Sequence, residues 1–176
     1  MIGTCYLGYP GENLSIGARL NRTVMLNERH PEEILPQCIE LASQNLHDLL
    51  TILQWNEKNG IKFFRISSAL FPHISNWRLF EDRLNYQTLA YSLELFEEQI
   101  KKIGSYANEH QHRLTFHPLP YTVLNTPKHF TYISVLRDLW WHTEFFRIAG
   151  LGLSSTITIH LGGIYGDKVG AKKNIH

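Results

Sequence analysis

Residues 113–118 read Arg113-Leu114-Thr115-Phe116-His117-Pro118, and residues 156–163 read Thr156-Ile157-Thr158-Ile159-His160-Leu161-Gly162-Gly163. Both stretches are short, rich in β-branched and aromatic residues, and closed by a proline or a glycine pair, which predicts two buried strands. Each strand delivers a histidine to its carboxyl end. Working outward, residues 2–9 form a further apolar run, stopped by Pro10-Gly11, and residues 61–66 form another, followed by Ser67-Ser68. Between the strands the apolar period lengthens. Ala42, Leu46, Leu49 and Leu53 recur at helical steps within 37–59, after Pro31 opens the pattern and Pro36 is expected to interrupt it. Leu89, Leu93, Phe96, Ile100 and Ile103 mark a second helix, and residues 128–149 a third, ended by Gly150. Alternation of strand and helix predicts right-handed βαβ crossovers and an α/β fold with a parallel sheet. Four units are about half of a closed (β/α)₈ barrel, which takes about 250 residues, so a small open sheet or a portion of something larger both fit.

Composition narrows the function classes. The 176 residues carry 17 Lys and Arg against 16 Asp and Glu, a formal charge of +1, which excludes a module held to nucleic acid by bulk charge alone. The 43% apolar content suits a packed core, and the absence of a long apolar run argues against a membrane partner. No basic-then-apolar leader opens the sequence, so the expected location is cytoplasmic. Cys5 and Cys38 are too few for a disulfide framework.

Ten histidines are the unusual feature. In parallel α/β folds ligands bind at the carboxyl ends of strands, so His117 and His160 are expected to face one site and to share a metal ion. A histidine that merely caps a loop is the competing reading. His30, His47, His110, His112, His129 and His142 fall on helices or turns and are read as ordinary residues. His73 follows Pro72 in a loop, and terminal His176 is uninformative. The loop after His117 is stiffened by Pro118 and Pro120, which leaves Tyr121 as a fixed aromatic platform for a flat group such as a base. Gly162 to Lys168 matches neither a P-loop nor a dinucleotide fingerprint, and Lys172-Lys173 reads as a solvated tail. No serine elbow or cysteine–histidine pairing supports covalent catalysis.

Four motifs in register resemble the UV-damage endonuclease family. They are Leu7-Gly8-Tyr9-Pro10 with Glu12-Asn13-Leu14, then Phe64-Arg65-Ile66-Ser67-Ser68 with Leu70-Phe71-Pro72, then Phe116-His117-Pro118, and Ile159-His160-Leu161-Gly162-Gly163 with Tyr165-Gly166. The resemblance implies a parallel (β/α) TIM-barrel type, of which residues 1–176 are the N-terminal half. It implies a metal-dependent DNA endonuclease, a hydrolase that nicks double-stranded DNA 5′ to UV photoproducts and so starts excision repair. The implied cofactor is a set of divalent ions, Mn²⁺ first, with Zn²⁺ or Mg²⁺ as alternatives. His117 and His160 fall on family metal ligands, and Tyr9, Asn13 and Tyr121 on residues that contact DNA.

Two departures accompany the resemblance. The glutamine that precedes the probing tyrosine is here Pro120, and the family's remaining ligands lie on strands five to eight, beyond residue 176. A complementary C-terminal half is therefore an expected partner. Without it, open strand edges and an apolar barrel interior are expected to favour self-association. The alternatives are an inactive half-barrel remnant and a metal barrel of the sugar isomerase or epimerase type.

Overall fold

The computed structural model describes residues 7–26, 30–76, 91–160 and 162–173, so Cys5, Trp77, Leu89, Leu161 and His176 lie outside the described residues. Four strands, β1 (Gly8–Pro10), β2 (Phe63–Ser67), β3 (Arg113–His117) and β4 (Thr156–Ile157), form one sheet in the order β1-β2-β3-β4. Every pairing is parallel. The helices are α1 (Pro31–Lys58), α2 (Glu97–Glu109), α3 (His129–Ile148) and α4 (Lys168–Lys173), with a 3₁₀ turn at Leu93–Phe96 leading into α2.

Helix α1 continues without a break past Pro36. Proline there removes the amide bond back to Glu32, but it sits in the second turn, where little helix precedes it. Pro31 occupies the first turn, where no amide partner is needed, and Glu32 and Glu33 complement the positive helix end. Ala42, Leu46, Leu49 and Leu53 are buried as the apolar period requires, and Gly60, at φ +69°, turns the chain into β2. Helix α2 starts later than the apolar period suggests, because residues 93–96 wind as a 3₁₀ turn that buries Leu93 and Phe96.

The sheet has two different faces. Phe64, Ile66, Leu114 and Phe116 are buried against the helices. The Phe116 ring meets Trp141 at 5.3 Å and Phe145 at 5.3 Å, each edge to face. The alternate positions, Arg65, Ser67, Thr115 and His117, occupy the opposite face, where Arg113 and Arg65 are exposed. The face expected to be apolar thus carries Phe63 at its foot, with Arg113 over the ring, and is polar from Arg65 and Thr115 to Ser67 and His117. Strand β4 is shorter than the residues 156–161 expected of it. Beyond Ile157 the ladder continues only as a bridge between His160 and Val123 of the β3–α3 loop. Strand β1 likewise holds only Gly8–Pro10 among the described residues. No helix among the described residues is long and apolar enough to cross a membrane.

Candidate metal centre at the strand ends

Register brings the two histidines together. Ser67 pairs with His117 at the carboxyl ends of β2 and β3, and Thr115-Phe116 pair with Thr156-Ile157 one turn below His160. The rings of His117 and His160 stack at 4.9 Å with an interplanar angle of 29°. Their Nε2 atoms lie 2.9 Å apart. Two nitrogens that each bind one zinc-like ion at about 2.1 Å lie about 3 Å apart when they meet it at a right angle. The spacing of this pair therefore fits a shared ion. A third His, Cys, Asp or Glu that could complete a metal site is absent among the described residues.

Arg65 is the neighbour that sequence reading missed. Its Nη1 lies 3.2 Å from His117 Nδ1. A guanidinium only donates, so Nδ1 must accept, which puts the proton of a neutral His117 on Nε2. That proton points at His160 Nε2, 2.9 Å away. Burial lowers the His117 pKa, and the charges of Arg65 and His160 lower it further, so the ring is neutral near pH 7. For both Nε2 lone pairs to face an ion, His117 must carry its proton on Nδ1 and Arg65 must turn aside. The signal was available in principle: Arg65 is a charged residue inside an otherwise apolar strand.

Tyr121 is 81% exposed, and its loop is fixed. Thr122 Oγ1 donates to Asp138 of α3 at 2.7 Å, and the Val123 amide donates to the Tyr121 carbonyl at 3.0 Å. Because Val123 bridges His160, this aromatic stands on the loop that joins the two histidines. Asn125 ties the same loop to the segment after His160, with Nδ2 donating to Gly163 O at 2.8 Å.

Tyr9 and Asn13 are placed differently. Tyr9 lies within β1, in register with Phe64, and so faces the helix layer. Its hydroxyl donates to Asn56 Oδ1 of α1 at 2.6 Å and accepts from Asn13 Nδ2 at 2.8 Å. Burial raises the Tyr9 phenol pKa, which keeps it protonated for that role. Asn13 is only 4% exposed. The structure thus groups His117, His160, Arg65 and Tyr121 at one end of the sheet and holds Tyr9 and Asn13 against α1. His73 Nε2 lies 2.7 Å from Val24 O and 3.2 Å from Thr23 Oγ1. His142 is buried, stacked on Trp141 and bonded through Nδ1 to Asp138 O.

An open sheet of four parallel strands with helices in sequence between them defines a partial barrel of the parallel α/β class. The family model for UV-endonuclease UvdE matches residues 13–176, and the chain belongs to that family. The UV DNA damage endonuclease of Clostridium perfringens is 33% identical over 168 residues, covering 96% of this chain and 38% of that protein. The UV-damage endonuclease of Schizosaccharomyces pombe is 34% identical over 133 residues, covering 73% of this chain and 20% of that protein. Among solved structures, the crystal structure of SacUVDE superposes with a TM-score of 0.79 at 26% identity, over 98% of this chain and 54% of that one. The chain therefore spans only part of the length of these relatives.

Proposed function

We propose that this chain forms the N-terminal half of a nuclease that cuts UV-damaged double-stranded DNA on the 5′ side of the photoproduct. The observation that carries the reading is the 2.9 Å approach of two Nε2 atoms at neighbouring strand ends, in a chain of this family. His117 and His160 would hold a divalent ion, Mn²⁺ in the first place and Zn²⁺ or Mg²⁺ otherwise. Such an ion, when bound, supplies Lewis-acid polarisation of a phosphate and an activated water. The chain's own residues do the rest. Arg65, paired with His117 Nδ1, has to swing aside before His117 Nε2 can take the ion, and Tyr121 offers a ring for stacking on an exposed base, worth about 1–3 kcal/mol. Tyr9 and Asn13 fix the first loop through Asn56, and a direct contact of either with DNA needs that hydrogen-bond chain to open. Pro120 has no amide hydrogen to donate, so lesion probing falls to Tyr121.

The remaining ligands would come from a complementary C-terminal half, continuous with this chain or separate, docked along β4. The test supplies that half, adds Mn²⁺, and follows an end-labelled, UV-irradiated duplex. A nick immediately 5′ to the lesion is expected, and His117→Ala should reduce it at least about 100-fold. A nicking rate indifferent to His117→Ala would contradict the assignment.

A further inference from the structure

Lys172 and Lys173, read from sequence as a solvated tail, are exposed, but they lie on a short helix, α4, that follows a tightly held turn after His160. Gly162, at φ +119°, approaches Asn125 so closely that a Cβ would stand 1.7 Å from Asn125 Oδ1. Asn125 is 4% exposed and donates to Gly163 O at 2.8 Å and to Ala171 O at 3.2 Å, so one buried amide clamps both sides of the turn. Tyr165 is held at φ +51°, a left-handed conformation unusual for an aromatic residue, and still exposes 51% of its surface. Asp167 Oδ1 accepts from the amides of Val169 and Gly170 at 3.0 Å each, which turns the acid's charge onto the backbone. Ala171 is buried, whereas Lys168, Lys172 and Lys173 are exposed, and no ion pair among the described residues involves these three lysines.

The result is a stiff turn with one outward ring and three exposed cations without an ion pair among the described residues, a few positions after His160. We propose that this turn and α4 form a second DNA contact. Lys168, Lys172 and Lys173 bind phosphates of the duplex backbone, and Tyr165 packs on a nucleotide beside the one that Tyr121 meets. A rigid arm of this kind sets the register of the duplex over the histidine pair without reading its sequence. It also gives a chain of charge +1 a local basic patch for a polyanionic ligand, because three of its 17 Lys and Arg residues fall within six positions. The inference rests on the DNA-cutting reading above and deepens it.

The test is fluorescence anisotropy of the 176-residue chain with undamaged and UV-irradiated labelled duplexes across a salt series. Each phosphate contact contributes about 0.9 to the slope of log K against log salt, so replacing all three lysines with glutamine should lower the slope by about 2 to 3. Replacing them with arginine should preserve it, which a merely structural role would not predict. Tyr165→Ala should weaken binding several-fold while leaving the slope unchanged. A parent chain that binds with an unchanged slope in the glutamine variant overturns the arm alone. A parent chain that binds neither duplex overturns the DNA reading as well.

Discussion

At His117 the decisive fact is which nitrogen carries the proton. Arg65 donates to Nδ1, and the ring therefore presents N–H, not a lone pair, to His160. A metal-binding histidine ordinarily donates its second nitrogen to a carboxylate or carbonyl, and here that place is taken by a cation. Replacing Arg65 with glutamine removes the charge and supplies a side-chain oxygen able to accept from Nδ1–H. Arg65→Gln should therefore tighten Mn²⁺ binding by about 10-fold, the lower end of effects seen for such outer partners. Calorimetric titration measures this directly, and weaker binding by the variant would contradict the role given to Arg65. The histidines themselves were legible in the sequence, because strand periodicity and the Pro118 and Gly162-Gly163 stops fix where they project. Arg65, Asn56 and Asn125 were not. Their partners lie 52, 47 and 38 residues away, and nothing local marks a pairing over such separations.

At the level of elements, the close approach of α2 to the end of α3 depends on Gly104. A Cβ there would stand 1.8 Å from the Ala149 carbonyl oxygen, a backbone atom that cannot swing away. Gly104→Ala should cost about 1–3 kcal/mol by denaturant unfolding, whereas Gly152→Ala, which meets nothing within 4 Å, serves as a neutral control. Equal stability of the two variants would contradict the packing described.

Two histidines on these elements also make the fold acid-sensitive. His112, at the foot of β3, is held below the ordinary imidazole value of 6.5 mainly by burial, with Lys62 adding to the effect and Glu57 opposing it. His142 of α3 is lowered by burial, against the pull of Asp138. A histidine whose pKa is depressed by folding binds protons more readily when unfolded. Stability is therefore full above 6.5 and is lost as pH falls below it. The melting temperature should drop between about pH 7.5 and about pH 5.5, and drop less in His112→Gln. A flat profile would show that these rings are not held neutral. Helix periodicity had revealed α1 and α3 but not the passage of α1 through Pro36. A proline penalty depends on how much helix precedes it, which cannot be read until the helix start at Pro31 is known.

Across the whole molecule, the sheet ends at β4 with a two-residue strand, and α3 leaves Leu136 and Trp140 43% and 50% exposed. The chain covers 54% of the SacUVDE structure, and its four-stranded sheet is open. The order of four parallel strands was legible because each strand carries its own stop signal. The polarity of the upper part of the face opposite the helices was not, since β2 and β3 read as apolar runs until pairing shows that Arg65 and Thr115 share a row. That polar row leads up to the histidine pair and sets the site at its carboxyl end.

One ion held between the imidazoles of His117 and His160 is what the proposed chemistry requires. Crystals grown with Mn²⁺ and measured for its anomalous scattering should show a single peak within bonding distance of Nε2 of both His117 and His160, with Arg65 displaced from Nδ1. A map with no peak between these rings at saturating Mn²⁺, and the Arg65–His117 contact intact, would contradict it.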